Sequence, residues 1–341
     1  DIEISIKPGD LELPEIYYAV YKNIIAINHF NNQAYIFAHC FETVHNLDVL
    51  EQLIISTTSK KYPFKRAGEV TTNCTDEEFK ALVEQCKKHC NRGDVFQIVP
   101  SKRYTQAFTG DEFNVYRALR SVNPSPYLFY FDYGDFKIFG SSPEAQLVVS
   151  KGTTEIHPIA GTFKRTGNDE KDAALALELA ADEKENSEHV MLVDLARNDL
   201  SRHGTDIQVA TYKEVQFFSH VIHLVSKVVG VKNPETPTMQ IVADTFPAGT
   251  LSGAPKHMAM QLLEKYENIN RSFYGGAIGF MDFEGNFNHA IAIRTFLSKG
   301  NQLFYQAGMG VVAKSNIENE MAEVGNKLGA LREAMKQAET I

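Results

Sequence analysis

The chain has 341 residues, of which 43% are hydrophobic and 23% charged, an ordinary globular composition that excludes a disordered, collagen-like or disulfide-scaffold protein. Its 34 basic and 43 acidic residues give a net charge of −9, which argues against a nucleic-acid or membrane-surface binder, because both need clustered basic residues. There is no long apolar run and no signal-peptide pattern in DIEISIKPGD, so we expect a cytoplasmic protein.

The first part of the chain contains strand-like pieces such as IYYAVYKNIIAIN and AYIFAHC. It begins with Asp1 and not with Met, and we interpret residues 1–70 as the remainder of an N-terminal sheet region. The segment KYPFKRAGEVTTN combines Pro, Gly and charged residues and predicts the boundary to a second region, residues 71–341.

A capped helix opens the second region. Thr75 and Glu78 form a capping-box pattern, and apolar residues follow at helical spacing in TDEEFKALVEQCKKHC. Cys86 and Cys90 lie on the apolar face of this helix. We interpret Cys86 and Cys90 as buried thiols and not as a zinc site. With only Cys40 and Cys74 besides, the cysteines are too few and too irregularly spaced for a disulfide framework.

Beyond residue 91, runs rich in Val, Ile, Phe and Tyr alternate with helical stretches. Tight turns at Gly134 and Gly285 favour antiparallel pairing of the neighbouring strands. We therefore predict an α+β fold with large, mostly antiparallel sheets and flanking helices. Three long helices are expected, at about residues 169–200, 254–267 and 317–338.

Two of these helices carry acidic pairs. Glu185 and Glu188 are at i, i+3 on one helix, and Glu320, Glu323 and Lys327 are at i, i+3 and i+7 on the other. Four carboxylates that met would repel one another unless a cation neutralised them, and oxygen ligands suit Mg²⁺. The alternative is that both sets lie on solvated helix faces.

Two strand-like segments near the C-terminus contain residues that a plain strand would not need. Arg294 interrupts the apolar run AIAIRTFL and requires an anion, either a protein carboxylate or a ligand. Gly308 and Gly310 in QAGMGVVA are two residues apart and predict one open face of a strand. That face indicates either a ligand close to the backbone or a bulge or tight packing crossing.

The remaining polar motifs are weaker. The small residues of FPAGTLSGAPK and the turn in HPIAGTFKRTG could present backbone N–H groups to an anion, but neither has P-loop spacing. His220 and His223 lie in an apolar stretch, where a histidine is more often a core residue. Serine-hydrolase, zincin and dinucleotide motifs are absent from the sequence.

Segments in order from about residue 93 to 331 closely resemble the chorismate-utilising enzymes, above all the anthranilate-forming branch. The segments are SPEAQLV, PIAGTFKRTG, ADEKENSEHVMLVDLARNDL, HVIHLVS, FPAGTLSGAPK, YGGAIGF, IAIRT, QAGMGVVAKS and ENEMAEVGNKLGAL. The resemblance implies an α/β domain with large, mostly antiparallel sheets around a central cleft. It also implies Mg²⁺-dependent amination of chorismate with loss of its C4 hydroxyl, followed by elimination of pyruvate to give anthranilate. The ammonia would come from a glutamine amidotransferase subunit (component II).

The resemblance also implies roles for individual residues. Glu144 would be the general acid at the departing hydroxyl, and His223 would assist pyruvate elimination, with His220 packing structurally. Glu188 and Glu323 would bind Mg²⁺, with Glu185 and Glu320 beside them. Substrate binding is implied for the enolpyruvyl contacts Arg294 and Tyr274, the ring-carboxylate contacts Gly161, Thr162, Gly308, Gly310 and Lys327, and the lining residue Thr250.

Two positions favour anthranilate formation over related chemistry. Water-adding relatives have a lysine base where this chain has Gln97, and glutamine cannot deprotonate water. Aminodeoxychorismate synthases have a nucleophilic lysine in the slot of Ala160. Aminodeoxychorismate synthase component I and a non-catalytic chorismate-binding fragment remain the alternatives. NPSPYLF matches the inhibitor motif of tryptophan-regulated relatives, but LLES does not occur in this sequence.

Overall fold

The computed structural model describes residues 2–39, 47–56, 62–217 and 221–341. The chain divides into two compact units, one of residues 12–62 and one of residues up to 11 together with 63–341. The units therefore divide the chain at other positions than residue 70. Residues 65–72 pair with a strand of the larger unit, which is why they belong to that unit.

The smaller unit contains an antiparallel hairpin and a helix. The hairpin joins β1 (Asn23–Asn28) to β2 (Gln33–Ala38), and α1 (Leu47–Ile55) follows. Cys40 lies outside the described residues.

The larger unit contains eight helices in its described part. These are α2 (Asp76–Arg92), α3 (Phe113–Val122), α4 (Asp169–Ala181), α5 (Glu183–Ser201), α6 (Thr238–Thr245), α7 (Gly249–Ser252), α8 (Lys256–Tyr266) and α9 (Ile317–Ala338). The Thr75–Glu78 capping box is confirmed at the start of α2, and α9 has the predicted bounds. Cys86 and Cys90 are buried in the core, and burial raises the pKa of the Cys86 thiol to about 12.

Two large sheets form the framework, and every strand pair in the described part of the chain is antiparallel, as predicted. The six-stranded sheet has the order β3 (Lys65–Thr72), β5 (Ser101–Thr109), β17 (Gln302–Gly308), β16 (Thr295–Lys299), β7 (Phe136–Ser142), β6 (Tyr127–Asp132). The seven-stranded sheet has the order β10 (Ile159–Lys164), β12 (Val221–Lys232), β9 (Thr153–Ile156), β8 (Ala145–Ser150), β15 (Phe287–Ile291), β14 (Ala277–Met281), with β11 (Gly204–Phe217) also paired to β12. A short ribbon pairs β4 (Gln97–Ile98) with β13 (Gly253–Ala254).

Each large sheet has its own hydrophobic core. Phe79 of α2, Leu119 of α3 and Leu328 of α9 belong to the core on the six-stranded sheet. Val193 of α5 belongs with Leu147 to the core on the seven-stranded sheet. Helices α5 and α9, which carry the acidic pairs, therefore pack on different sheets.

The predicted helix at 169–200 is wrong in one respect, because the chain breaks at Asp182. Asp182 has extended backbone (φ −66°, ψ 116°), and its side chain accepts a hydrogen bond from the N–H of Glu185. It ends α4 and caps α5, as aspartate favours the N-cap position. This break aligns Glu185 and Glu188 on the first turns of a separate helix.

Two predicted strands also end earlier than expected. Arg294 does not interrupt a strand: β15 ends at Ile291, β16 begins at Thr295, and Arg294 has φ +51° between them. Gly310 lies beyond β17, which ends at Gly308, so the two glycines do not share one strand face. The sequence pattern stays hydrophobic on both sides of Arg294 and Gly310 because the neighbouring segments are buried, so it did not indicate where the strands end.

Candidate active site

The site lies where the chain passes twice from one large sheet to the other. Residues 142–145 connect β7 to β8, and residues 291–295 connect β15 to β16. The two connections are hydrogen-bonded to each other, from Ser141 N to Arg294 O (3.1 Å) and from Ile291 N to Glu144 O (3.0 Å). Glu144 and Arg294 therefore occupy neighbouring crossings.

Glu144 is a buried carboxyl group. It is 9% exposed, and the Thr250 hydroxyl donates to its Oε1 at 3.1 Å. Burial raises the pKa of Glu144 to about 8, although the Thr250 hydrogen bond and the Lys327 charge oppose the rise. A carboxyl group in this setting keeps its proton at neutral pH and can donate it.

Arg294 is a cation without a partner carboxylate. Its Nη1 donates to the Lys327 carbonyl at 3.1 Å, and in the described part of the chain no acidic group lies within ion-pair distance of it. Burial lowers the pKa of Arg294, partly offset by the phenol of Tyr274 and the more distant charge of Glu323. Of the two alternatives left open by the sequence, the internal salt bridge is not found among the described residues.

Tyr274 lies beside Arg294 in a small apolar cluster with Leu251 and Ile291. It is 6% exposed, and burial raises the pKa of its phenol to about 12. The side chain is therefore a neutral hydrogen-bond donor at physiological pH.

The two acidic pairs come together. Burial raises the pKa of Glu188 to about 7, and the charges of Glu185, Glu320 and Glu323 add to that rise. Burial likewise raises the pKa of Glu320, whose side chain is 3% exposed. Because carboxylates of α5 and α9 act on one another, these helix faces are not the solvated faces of the alternative reading.

Lys327 connects the four carboxylates Glu185, Glu188, Glu320 and Glu323, here called the acidic group, to the rest of the site. Its ammonium lies 2.6 Å from Glu323 Oε1 and donates to the carbonyl of Gly308 at 2.9 Å. Burial by itself would raise the pKa of Glu323. The charge and hydrogen bond of Lys327, a hydrogen bond with Glu320 and the charge of Lys184 together outweigh burial, so the pKa lies below its ordinary value. The Lys327 carbonyl accepts the bond from Arg294, so one residue on α9 contacts three parts of the site.

Gly308 and Gly310 are positions of close approach. A Cβ on Gly308 would lie 2.7 Å from the Pro100 carbonyl oxygen and 3.1 Å from the Tyr274 hydroxyl. A Cβ on Gly310 would lie 2.5 Å from Nε2 of Gln97. The structure thus shows tight packing at both glycines, and it brings Gln97, which is 5% exposed, beside Gly310.

Gly161 and His223 meet across β10 and β12. The Nδ1 of His223 contacts the carbonyl oxygen of Gly161 at 2.8 Å, and the backbone of Thr162 pairs opposite His223. A Cβ on Gly161, which has φ +66°, would lie 3.3 Å from a carboxylate oxygen of Glu185. Burial lowers the pKa of His223. His220 lies outside the described residues.

Sequence reasoning missed two basic residues. The ammonium of Lys184 lies 3.4 Å from Glu320 and 3.9 Å from Glu188, and its i, i+4 spacing from Glu188 was the available signal. Arg271 packs its guanidinium 5.7 Å from the ring centre of Tyr274 and pairs with Glu267 at 2.7 Å. The available signal for Arg271 was its i, i+4 spacing from Glu267, which directly follows α8.

The acidic group can be tested as a cation site. Among the described residues, no three acidic, histidine or cysteine side chains are arranged to surround an ion. Mg²⁺, however, is usually held by one or two carboxylates, with waters and substrate oxygens completing its shell. Oε1 of Glu188 is buried and accepts no hydrogen bond from the described residues. The charge of Glu323 adds to the raised pKa of Glu188, so the two carboxylates interact. This donor set fits a hard divalent cation.

Comparison with known proteins agrees with this architecture. Residues 2–333 match the chorismate binding enzyme family, and the chain belongs to that family. It is 42% identical over 300 residues to anthranilate synthase component 1 of Aquifex aeolicus, covering 87% of this chain and 60% of that protein's length. The chain therefore spans less than two thirds of this relative.

Two solved structures are also similar. Anthranilate synthase component I from Streptococcus pneumoniae has a TM-score of 0.86 and 35% identity, over 96% of this chain and 76% of that chain. The menaquinone-specific isochorismate synthase MenF from Escherichia coli has a TM-score of 0.75 at 22% identity, over 85% of this chain and 67% of that chain, and shares the fold.

Proposed function

We propose that the chain is the aminating component of an anthranilate synthase, a lyase that converts chorismate and ammonia to anthranilate and pyruvate. The observation that carries the proposal is Arg294, a cation without a carboxylate partner in the described part of the chain. A partly buried guanidinium calls for an anion, and chorismate has two carboxylates. The anthranilate synthase relatives support the choice of reaction.

In this reaction Glu144 donates its proton to the C4 hydroxyl of chorismate, which leaves as water. The buried Glu144 carboxyl group retains that proton near neutral pH because its pKa is raised to about 8. Thr250 holds the carboxyl group in place through its hydroxyl.

His223 acts in the second half, the loss of pyruvate. Because a carbonyl oxygen only accepts, the Nδ1 of His223 must carry the proton that it shares with Gly161 O, which leaves Nε2 as the basic nitrogen of the neutral ring. Burial lowers the pKa of His223, so the neutral form is present at physiological pH. Such a nitrogen can remove the ring proton whose loss makes the product aromatic. The bond between the ring and the enolpyruvyl oxygen breaks in this step, and the methylene carbon of the leaving group takes up a proton to give pyruvate.

The two ends of the substrate are held by different groups. Arg294 and the phenol of Tyr274 bind the enolpyruvyl carboxylate. The ring carboxylate lies near Lys327 and the backbone of residues 161–162 and 308–310. Glu188 and Glu323, with Glu185 and Glu320 beside them, would hold Mg²⁺, which would supply positive charge for this carboxylate.

Gln97 and Ala160 select ammonia chemistry. Gln97 occupies the position of a general base for water but cannot take a proton, and ammonia is itself a nucleophile. Ala160 cannot form a covalent intermediate.

We further propose that a glutamine amidotransferase subunit supplies the ammonia and that the enzyme works in the cytoplasm. Within the described residues, none of the helices has the length and apolarity to cross a membrane.

The test is to incubate the protein with chorismate, ammonium and Mg²⁺ and to follow anthranilate fluorescence and pyruvate release. Formation of both products in equal amounts is expected. Aminodeoxychorismate without pyruvate, or binding of chorismate without turnover, would contradict the proposal.

The metal assignment has its own test. Glu323→Gln should raise the Mg²⁺ concentration needed for half-maximal turnover by about tenfold or more, because ligand loss weakens the site. Glu84→Gln, an exposed glutamate of α2, is the matched control and should leave it unchanged. Equal effects on the Mg²⁺ requirement in both variants would contradict the assignment of the acidic group as the Mg²⁺ site.

A further inference from the structure

A small cavity lies behind Glu144, on its seven-stranded-sheet side. Its volume is about 30 Å³, which exceeds the minimum space that a water molecule needs. Besides Glu144 and Thr250, its lining includes Gln146 of β8, Thr245 of α6, and Ala196 and Asp199 of α5.

The side chains of Gln146, Thr245 and Thr250 at this cavity each already donate a hydrogen bond. Gln146 is 3% exposed; its Nε2 donates to Thr245 Oγ1 at 3.3 Å, but its Oε1 accepts no hydrogen bond from the described residues. The Thr245 hydroxyl already donates to the Ile241 carbonyl at 2.8 Å. An unpaired buried acceptor is costly, so the cavity calls for a small hydrogen-bond donor.

Asp199 connects the cavity to solvent. Lys256 Nζ lies 2.6 Å from Asp199 Oδ2, and the two side chains are 13% and 10% exposed. Asp199 lines the cavity, and both side chains of the pair also contact bulk water.

We propose that the cavity binds one water molecule, which donates to Gln146 Oε1 and returns a proton to Glu144 after each turnover. The inference rests on the proposed function, in which Glu144 protonates the leaving hydroxyl and is left as a carboxylate. The cavity water then gives one proton to that carboxylate and takes one from the Lys256 ammonium through Asp199. Solvent restores the ammonium, so the step balances without another reactant.

Two variants remove the water in different ways. Gln146→Met takes away the acceptor while keeping the length of the side chain, and Ala196→Val fills the space without touching a polar group. In both, kcat should fall about tenfold or more and the solvent deuterium isotope effect on kcat should rise, because proton return becomes rate-limiting. The KM for chorismate should stay within about twofold, because no substrate contact changes.

The matched control is Gln106→Met on β5, a glutamine that is also 3% exposed but lies on the six-stranded sheet. It should lower stability without changing the isotope effect. An isotope effect that does not rise in Gln146→Met and Ala196→Val would overturn the relay. A raised KM for ammonium at unchanged kcat would also overturn it, by assigning the cavity to ammonia.

A crystal structure of the wild type separates this inference from the proposed function. Density for a water about 3 Å from Gln146 Oε1, lost in Gln146→Met, is expected. An empty cavity overturns the inference even if the enzyme makes anthranilate. Absence of anthranilate from an enzyme with the water present contradicts the proposed function instead.

Discussion

At the scale of single residues, the site depends on groups whose protonation is set by burial. Glu144 illustrates this: a glutamate in SPEAQLV could be exposed or buried, and only burial keeps it protonated near neutral pH. The residue type followed from the sequence, whereas its raised pKa required the structure, because desolvation depends on every neighbouring atom.

We predict that Glu144→Gln lowers kcat by about 10²- to 10⁴-fold, the usual contribution of a general acid. Measured at a fixed concentration of free ammonia, kcat of the wild type should fall as the pH rises through about 8, because Glu144 then loses its proton. A wild-type rate that stays constant through this range would contradict the assignment of Glu144 as the acid.

The same substitution should change stability in a pH-dependent way. The folded state keeps the Glu144 proton up to about pH 8, whereas the ordinary pKa is 4.5, so wild-type stability falls as the pH rises between these values. Glu144→Gln removes this decline and should be more stable than the wild type at alkaline pH, by a few kcal/mol in denaturant unfolding. The difference should disappear below the ordinary pKa; a difference that is the same at acid and alkaline pH would argue against a buried, protonated carboxyl group.

At the scale of elements, the packing of strands and helices decides at which glycines a side chain would clash with a neighbouring atom. Gly308 ends β17 against the Pro100 carbonyl. At Gly329 on α9, by contrast, no atom of the described residues outside the nearby helix backbone lies within 4 Å of the Cβ position. Both are glycines in segments of the family resemblance, and the sequence did not distinguish them. The crossing at Arg294 and the break at Asp182 were missed for a related reason: residue patterns report burial and propensity, not which sheet a segment joins.

The two glycines should respond oppositely to alanine. Gly308→Ala forces a methyl group against a backbone oxygen and should cost roughly 1–3 kcal/mol of unfolding free energy, with reduced turnover because Tyr274 is displaced. Gly329→Ala should stabilise the protein by about 0.5–1 kcal/mol, because alanine restricts the unfolded chain and favours helix. Thermal and denaturant unfolding measure both, and similar effects in the two variants would contradict the packing described here.

At the scale of the whole molecule, the site joins segments that are far apart along the chain. Arg271 donates to the carbonyls of Val99 and Leu251, at 2.5 Å each, and to both oxygens of Glu267. The guanidinium thus connects the link between β4 and β5, helix α7 and the C-cap of α8 beside Tyr274. Such a clamp is satisfied only when all three segments are in place.

Arg271→Met should therefore lower the unfolding free energy by about 3–5 kcal/mol, because it leaves the buried Glu267 carboxylate unpaired. Arg197→Met, which removes an exposed pair with Asp194, should change it by no more than about 0.5 kcal/mol. Denaturant unfolding compares them, and a small loss in Arg271→Met would mean that the clamp contributes little.

The sequence by itself determined the α+β class, the antiparallel pairing, the capped helix α2, the last helix α9 and the family, because these follow from local periodicity, turn residues and contiguous motifs. Only the tertiary structure decided that Glu185 and Glu188 face Glu320 and Glu323, that Arg294 has no carboxylate partner in the described residues, and that a cavity lies behind Glu144. The reason is physical: spacing along a chain fixes which side chains share a face of one element, but electrostatic contact between elements depends on how α5 and α9 pack on two different sheets.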